Sequence, residues 1–137
     1  MSEWVKPRPL PDNVSAPYWA AAREGRLLVQ ECPRCGNRQW YPRALCTRCA
    51  AEPEWLECTG NGVVYTYCVI RQMGTAGFRD EVPYVVAMVE LEEGPRVMGN
   101  VIGIDIADVH IGLSVEATFV DVADDIGIPQ WRRRAER

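Results

Sequence analysis

The sequence predicts a mainly β protein in two parts, a cysteine-stapled ribbon and a small closed or half-closed antiparallel barrel, preceded by a short helical arm. Three observations carry this. Four cysteines, Cys32, Cys35, Cys46 and Cys49, follow the pattern C-x2-C-x10-C-x2-C. From Glu57 onward, runs rich in β-branched and aromatic residues are separated by turn chemistry. No segment sustains a long helical period. At 137 residues the chain is one ordinary domain, or a small metal-stapled module joined to a modest barrel.

The arm comes first. Pro7, Pro9 and Pro11 impose an extended path on residues 1–13. Ser15 has the character of a helix N-cap, Pro17 suits the first turn and Gly25 marks the stop. Tyr18, Ala21 and Ala22 recur at i, i+3 and i+4, with Trp19 on the flank, so this short helix must pack on something. The ribbon is the plain answer and a partner protein the sharper one. Residues 1–29 are thus arm and helix.

Residues 30–56 form the ribbon. Leu27-Leu28-Val29-Gln30 leads into the first knuckle, and Arg38-Gln39-Trp40-Tyr41 returns from it. Each knuckle is a tight turn that aims two thiolates at one point, and two of them supply the tetrahedral sulfur set that zinc favours. Iron in a rubredoxin-like site is the alternative metal, and disulfide pairing the alternative to any metal. Four protein thiolates leave no open coordination position, so such a site is structural and its metal contributes to folding.

The barrel is assigned to residues 57–128. Thr59 to Gly62 is a turn and Val63 to Ile70 a strand. A loop through Gly74 and Gly77 runs to Pro83, Tyr84 to Leu91 is the next strand, and Glu92 to Pro95 is a hairpin turn into Val97 to Ile102. Ser114 to Val122 follows, with Val115, Ala117 and Phe119 on one face. Residues 129–137 read as a basic tail.

Charge is segregated along the chain, whose formal net value is -4. Residues 1–50 carry eight basic and four acidic side chains, residues 51–128 three and fourteen, and residues 129–137 four and one. A barrel with this acidic balance lacks the basic groove that phosphate backbones require. Only Lys6 among the basic residues is a lysine; arginine suits bidentate contact with carboxylate or phosphate, and a compositional bias explains it equally well. The apolar run Val85 to Val89 is too short to cross a bilayer and the opening residues lack an export pattern, so a cytoplasmic protein is expected.

The order of motifs narrows the class. Tyr41 to Cys49 precedes Gly60-Asn61-Gly62-Val63-Val64-Tyr65-Thr66-Tyr67, then Pro83 to Gly94, then Ile111 to Glu116. In that order they resemble the small proteins with a helical arm, a rubredoxin-like zinc ribbon and a C-terminal five-stranded OB-fold, known as domain of unknown function thirty-five. The resemblance runs from about Pro17 to Arg133. Ala50 departs from it, standing where a knuckle often ends in glycine, at an expected small cost. What the resemblance implies is a non-catalytic accessory subunit. Its partner would be a thiolase-fold enzyme (thiolase, acyltransferase or aldolase) acting on acyl-CoA thioesters, with this subunit stabilising the partner and helping to shape the coenzyme A site. The competing reading is an OB-fold nucleic-acid-binding module, with Tyr65, Tyr67 and Tyr84 as stacking platforms.

Nucleophilic catalysis needs a base beside the nucleophile. The one histidine, His110, lies in a turn and is expected to be exposed or locally bonded; Cys68, within an apolar strand, is expected to be a small core residue. Two segments are candidate contact surfaces for coenzyme A or the partner. One is the loop from Arg71 through Phe78 and Arg79, with an exposed phenylalanine; the other is the tail, with Trp131, Arg132 and Arg133. For both, the plain alternative is an ordinary solvated segment.

Overall fold

The computed structural model describes residues 4–72 and 75–135. The helix α1 spans Ala16–Arg23. Ser15 occupies the N-cap position without a side-chain cap bond. Instead the Asp12 carboxylate accepts the Ser15 and Val14 N–H groups at 2.7 and 3.0 Å, an Asx turn that brings the chain into the helix. Those N–H groups, Ser15's first, hold the Asp12 carboxyl below its ordinary range. Gly25 ends the helix at φ +79°, a conformation costly for a residue with a Cβ.

The ribbon is a three-stranded antiparallel sheet of β1 (Leu27–Glu31), β2 (Arg38–Gln39) and β3 (Glu54–Cys58), in the order β2-β1-β3. Leu27, Leu28, Val29 and Gln30 are all buried. The ribbon thus extends through Cys58, two residues beyond its expected boundary, because β3 pairs with β1 along its whole length.

The barrel is closed, in the order β4-β5-β6-β8-β7 with β7 returning to β4. Its strands are β4 (Asn61–Ile70), β5 (Tyr84–Leu91), β6 (Arg96–Ile102), β7 (Ser114–Ala123) and β8 (Ile126–Arg133). A 3-10 turn at Ile106–Asp108 lies between β6 and β7. All pairings are antiparallel except β6 with β8, which is parallel. This five-strand order, with its single parallel pair, is that of an OB-fold, and closure removes exposed sheet edges. Val64, Val89, Val97 and Val115 fill the interior with Trp131.

Strand β8 corrects the expected basic tail. Pro129 to Arg133 pair in register with Phe119 to Val115 of β7, with Pro129, Gln130 and Trp131 buried and the arginines exposed, and β8 supplies the pairing that closes the barrel. A proline and three arginines masked the strand in the sequence; Pro129 itself is buried, and the arginines gather at the end.

A one-residue bulge in β4 is a second correction. The register against β5 shifts between Val64 and Thr66. Inward parity therefore passes from Val64 to Tyr67 and Val69, while Cys68 faces out and is exposed. The helix packs chiefly on β8, with β1 and β7 beside it, rather than on the ribbon alone. Its approach is close enough that a Cβ on Gly127 would lie 2.5 Å from the Ala22 carbonyl carbon. No helix among the described residues is long and apolar enough to cross a membrane.

Candidate metal centre and contact surfaces

The two knuckles are built alike. In the first, the Gly36 N–H donates to the Cys32 carbonyl at 2.9 Å and the Cys32 N–H to the Asn37 carbonyl at 2.8 Å. In the second, Ala50 N–H donates to the Cys46 carbonyl at 3.0 Å and Cys46 N–H to the Ala51 carbonyl at 2.7 Å. Each turn closes on a residue of positive φ, Gly36 at +75° and Ala50 at +63°. Ala50 therefore sits in the left-handed region, which costs a non-glycine residue about 1 kcal/mol. The departure from glycine is more expensive than its small size suggests.

The knuckles bring all four sulfurs within 4.8 Å of one another. Cys32 Sγ lies 3.4 Å from Cys49 Sγ, and Cys35 Sγ 3.6 Å from Cys46 Sγ. A tetrahedral ion with Zn–S bonds of about 2.3 Å needs sulfurs roughly 3.8 Å apart, so the set fits a central ion. Cys32 and Cys46 are buried, and the other two lie nearer the surface. Backbone N–H groups prepare two of the thiolates, those of Cys46 and Cys32. The N–H groups of Cys49 and Arg48, with the Asn37 amide among further donors, bring the Cys46 thiol down to about 6 despite its burial. The N–H groups of Cys35 and Arg34 lower Cys32 in the same way. Such donors favour the charged form a metal requires.

Beneath the centre lies a pair of buried glutamines that sequence reasoning did not single out. Gln30 and Gln39 face each other across β1 and β2, and Gln39 Nε2 donates to Gln30 Oε1 at 2.8 Å. The signal was a polar residue closing the apolar run Leu27-Leu28-Val29, in register with one just after the first knuckle.

The other expected site residues fall in several places. Arg71 and Arg79 are exposed in the loop after β4. Phe78 is half-buried rather than exposed: its ring tilts against Tyr84 at 5.6 Å, and the Lys6 ammonium lies 5.2 Å from its centre. Met73 and Gly74 of that loop lie outside the described residues. Trp131 is fully buried in the barrel, its indole lying where a side chain at Gly99 would intrude, and so presents no contact surface. Arg132 Nε donates to Glu116 at 3.0 Å across β7, and Arg133 is exposed. Of the three tyrosines, Tyr65 is exposed, with the Arg96 guanidinium stacked 3.6 Å from its ring centre. His110 is exposed, its Nδ1 3.0 Å from the Asp108 carbonyl, the local bonding expected. Burial, with Glu93 nearby, pushes the Cys58 thiol up to about 12, away from reactive thiolate character.

A four-cysteine ribbon joined to a closed five-stranded barrel defines the class: a zinc-ribbon and OB-fold protein. Two family models match adjoining segments, the ChsH2 rubredoxin-like zinc ribbon domain over residues 19–54 and the ChsH2 C-terminal OB-fold domain over residues 55–120. The chain is 34% identical over 119 residues to a DUF35 domain-containing scaffold protein of Methanocaldococcus jannaschii, covering 85% of this chain and 84% of that protein. The chain belongs to the DUF35 family. It is also 33% identical over 129 residues to a probable enoyl-CoA hydratase alpha subunit of Thermomonospora curvata, matching 93% of this chain but spanning only 40% of that longer protein. Among solved structures, a chain of the Ltp2-ChsH2(DUF35) aldolase superposes with a TM-score of 0.82 at 32% identity, over 92% of this chain and 98% of that one.

Proposed function

We propose that this chain is a non-catalytic accessory subunit of a heteromeric enzyme acting on acyl-CoA thioesters, with a thiolase-fold protein as its partner. The observation that carries the reading is the match to the DUF35 chain of an aldolase named for two components, which extends over nearly the whole of both chains. The names of the relatives agree in kind, one a scaffold and one the alpha subunit of a CoA-ester hydratase. The subunit stabilises its partner and helps to shape the coenzyme A site, and it works in the cytoplasm.

Zinc is the ion proposed for Cys32, Cys35, Cys46 and Cys49. With four thiolates it supplies folding energy and no Lewis-acid step. The test is a tagged purification from the native cytosol, with partners identified by mass spectrometry and metal measured by elemental analysis. The expected result is a thiolase-fold subunit at fixed stoichiometry and one zinc per chain. Recovery of the chain alone, or bound to nucleic acid, would overturn the accessory-subunit reading.

A further inference from the structure

The segment between β2 and the second knuckle has no regular secondary structure, yet its backbone is fastened from below at Arg43, Leu45 and Thr47. Gln30 Oε1 accepts the Arg43 N–H at 2.8 Å, and Gln30 Nε2 donates to the Arg43 carbonyl at 2.9 Å. Gln39 Nε2 donates to the Leu45 carbonyl at 3.3 Å, while Gln39 Oε1 accepts the Thr47 N–H at 2.9 Å. Pro42 and Cys46 are buried beneath it. Burying two amides is costly unless all their hydrogen bonds are made. Here the buried pair fixes a stretch of backbone whose side chains point to solvent.

Those side chains are of a particular kind. Tyr41 is 37% exposed and Leu45 52%, and Arg43 and Arg48 are exposed beside them. From Cys32 to Ala51 there are four arginines, including Arg34 in the first knuckle, and no carboxylate. Only Arg38 of the four makes an ion pair among the described residues, with Glu31 at 2.6 Å. The barrel, by contrast, carries most of the acid. Exposed tyrosine, leucine and arginine on a rigid backbone are the residues that anchor interfaces, and rigidity removes the entropy of ordering them.

We propose that residues 41–48 form a preorganised docking loop for the heteromeric partner, and that the partner surface facing it is acidic around an apolar pocket for Leu45. The charge sets the character of the facing surface, since arginines with no ion pair among the described residues repel another basic surface and attract a carboxylate-lined one, and the near-complete match to a chain of a two-component aldolase assigns that surface to a heteromeric partner. The inference rests on the accessory-subunit reading and locates its contact on the ribbon, away from the Arg71–Arg79 loop.

The test uses the full chain co-expressed with the partner subunit that the wild type retains. Three forms are compared: wild type, the double variant Arg43→Glu with Leu45→Asp, and Arg71→Glu with Arg79→Glu. The ribbon variant is expected to lose partner retention by at least about tenfold with its zinc content unchanged. The loop variant is expected to stay within about twofold. Cross-links from the 41–48 segment to acidic residues of the partner should accompany the wild-type complex. A ribbon variant that binds as wild type overturns the docking loop alone, whereas a wild type that retains no partner overturns the accessory reading as well. Two further outcomes also overturn it. One is a ribbon variant that changes only the sedimentation of the isolated chain, which assigns the loop to a second copy. The other is one that changes only affinity for coenzyme A, which assigns the arginines to its phosphates.

Discussion

Ala50 and Gly127 show how single backbone positions set local cost. Ala50 holds a left-handed conformation that its counterpart Gly36 adopts freely. Ala50→Gly is therefore expected to raise stability by about 1 kcal/mol in denaturant unfolding of the zinc-loaded protein. Gly127 has the opposite character. No turn requires glycine there, but α1 crosses so close that a Cβ would fall 2.5 Å from the Ala22 carbonyl carbon and the Arg23 nitrogen. Gly127→Ala should cost about 1–3 kcal/mol by forcing helix and strand apart, and chemical denaturation measures it. At this scale the gathering of the four cysteines was legible, because their spacing places two knuckles that bring the sulfurs together. The glutamine pair was not, since a polar residue in a short strand gives no sign of what it will bond until the register is known.

The elements divide along similar lines. Strands β5 and β6 could be read with their hairpin because turn residues bound them on both sides. Strand β8 could not, because proline and arginine are poor strand signals and only the paired β7 and β6 make the segment β. Cys68 was misplaced for a related reason: a bulge inverts the parity of everything beyond it, and no local residue announced the bulge. If β8 carries the core as described, Trp131→Ala should destabilise the protein by about 3–5 kcal/mol, whereas a residue in a solvated tail would be silent. Thermal melts followed by near-ultraviolet circular dichroism distinguish the two.

For the whole molecule, two modules share one seam. The Arg38 guanidinium donates to the Glu93 carbonyl at 3.1 Å, and Thr59 N–H donates to the Glu93 carboxylate at 3.0 Å, so the β5–β6 hairpin is tied to the ribbon. The ribbon has little core of its own beyond β1 and relies on its centre, while the barrel has a continuous apolar interior. Removal of the proposed zinc by a strong chelator is thus expected to melt the ribbon first. Trp40 and Trp55 would shift to the red while Trp131 stays in an apolar environment, giving two fluorescence transitions where the loaded protein gives one. A single unchanged transition after complete metal removal would refute the dependence.

The parallel pairing of β6 with β8 has a consequence for biosynthesis. The ribbon is complete once Cys58 has emerged from the ribosome and can close on the proposed zinc at once. Strand β8, by contrast, fills the gap between β6 and β7 and also receives α1, which was made more than a hundred residues earlier. Until residues 126–133 have been translated the sheet stays open and the helix lacks its chief seat. Between the emergence of Cys58 and that of β8 the nascent chain carries a finished ribbon and an unfinished barrel, so the stage most in need of protection from aggregation is the one just before β8 appears.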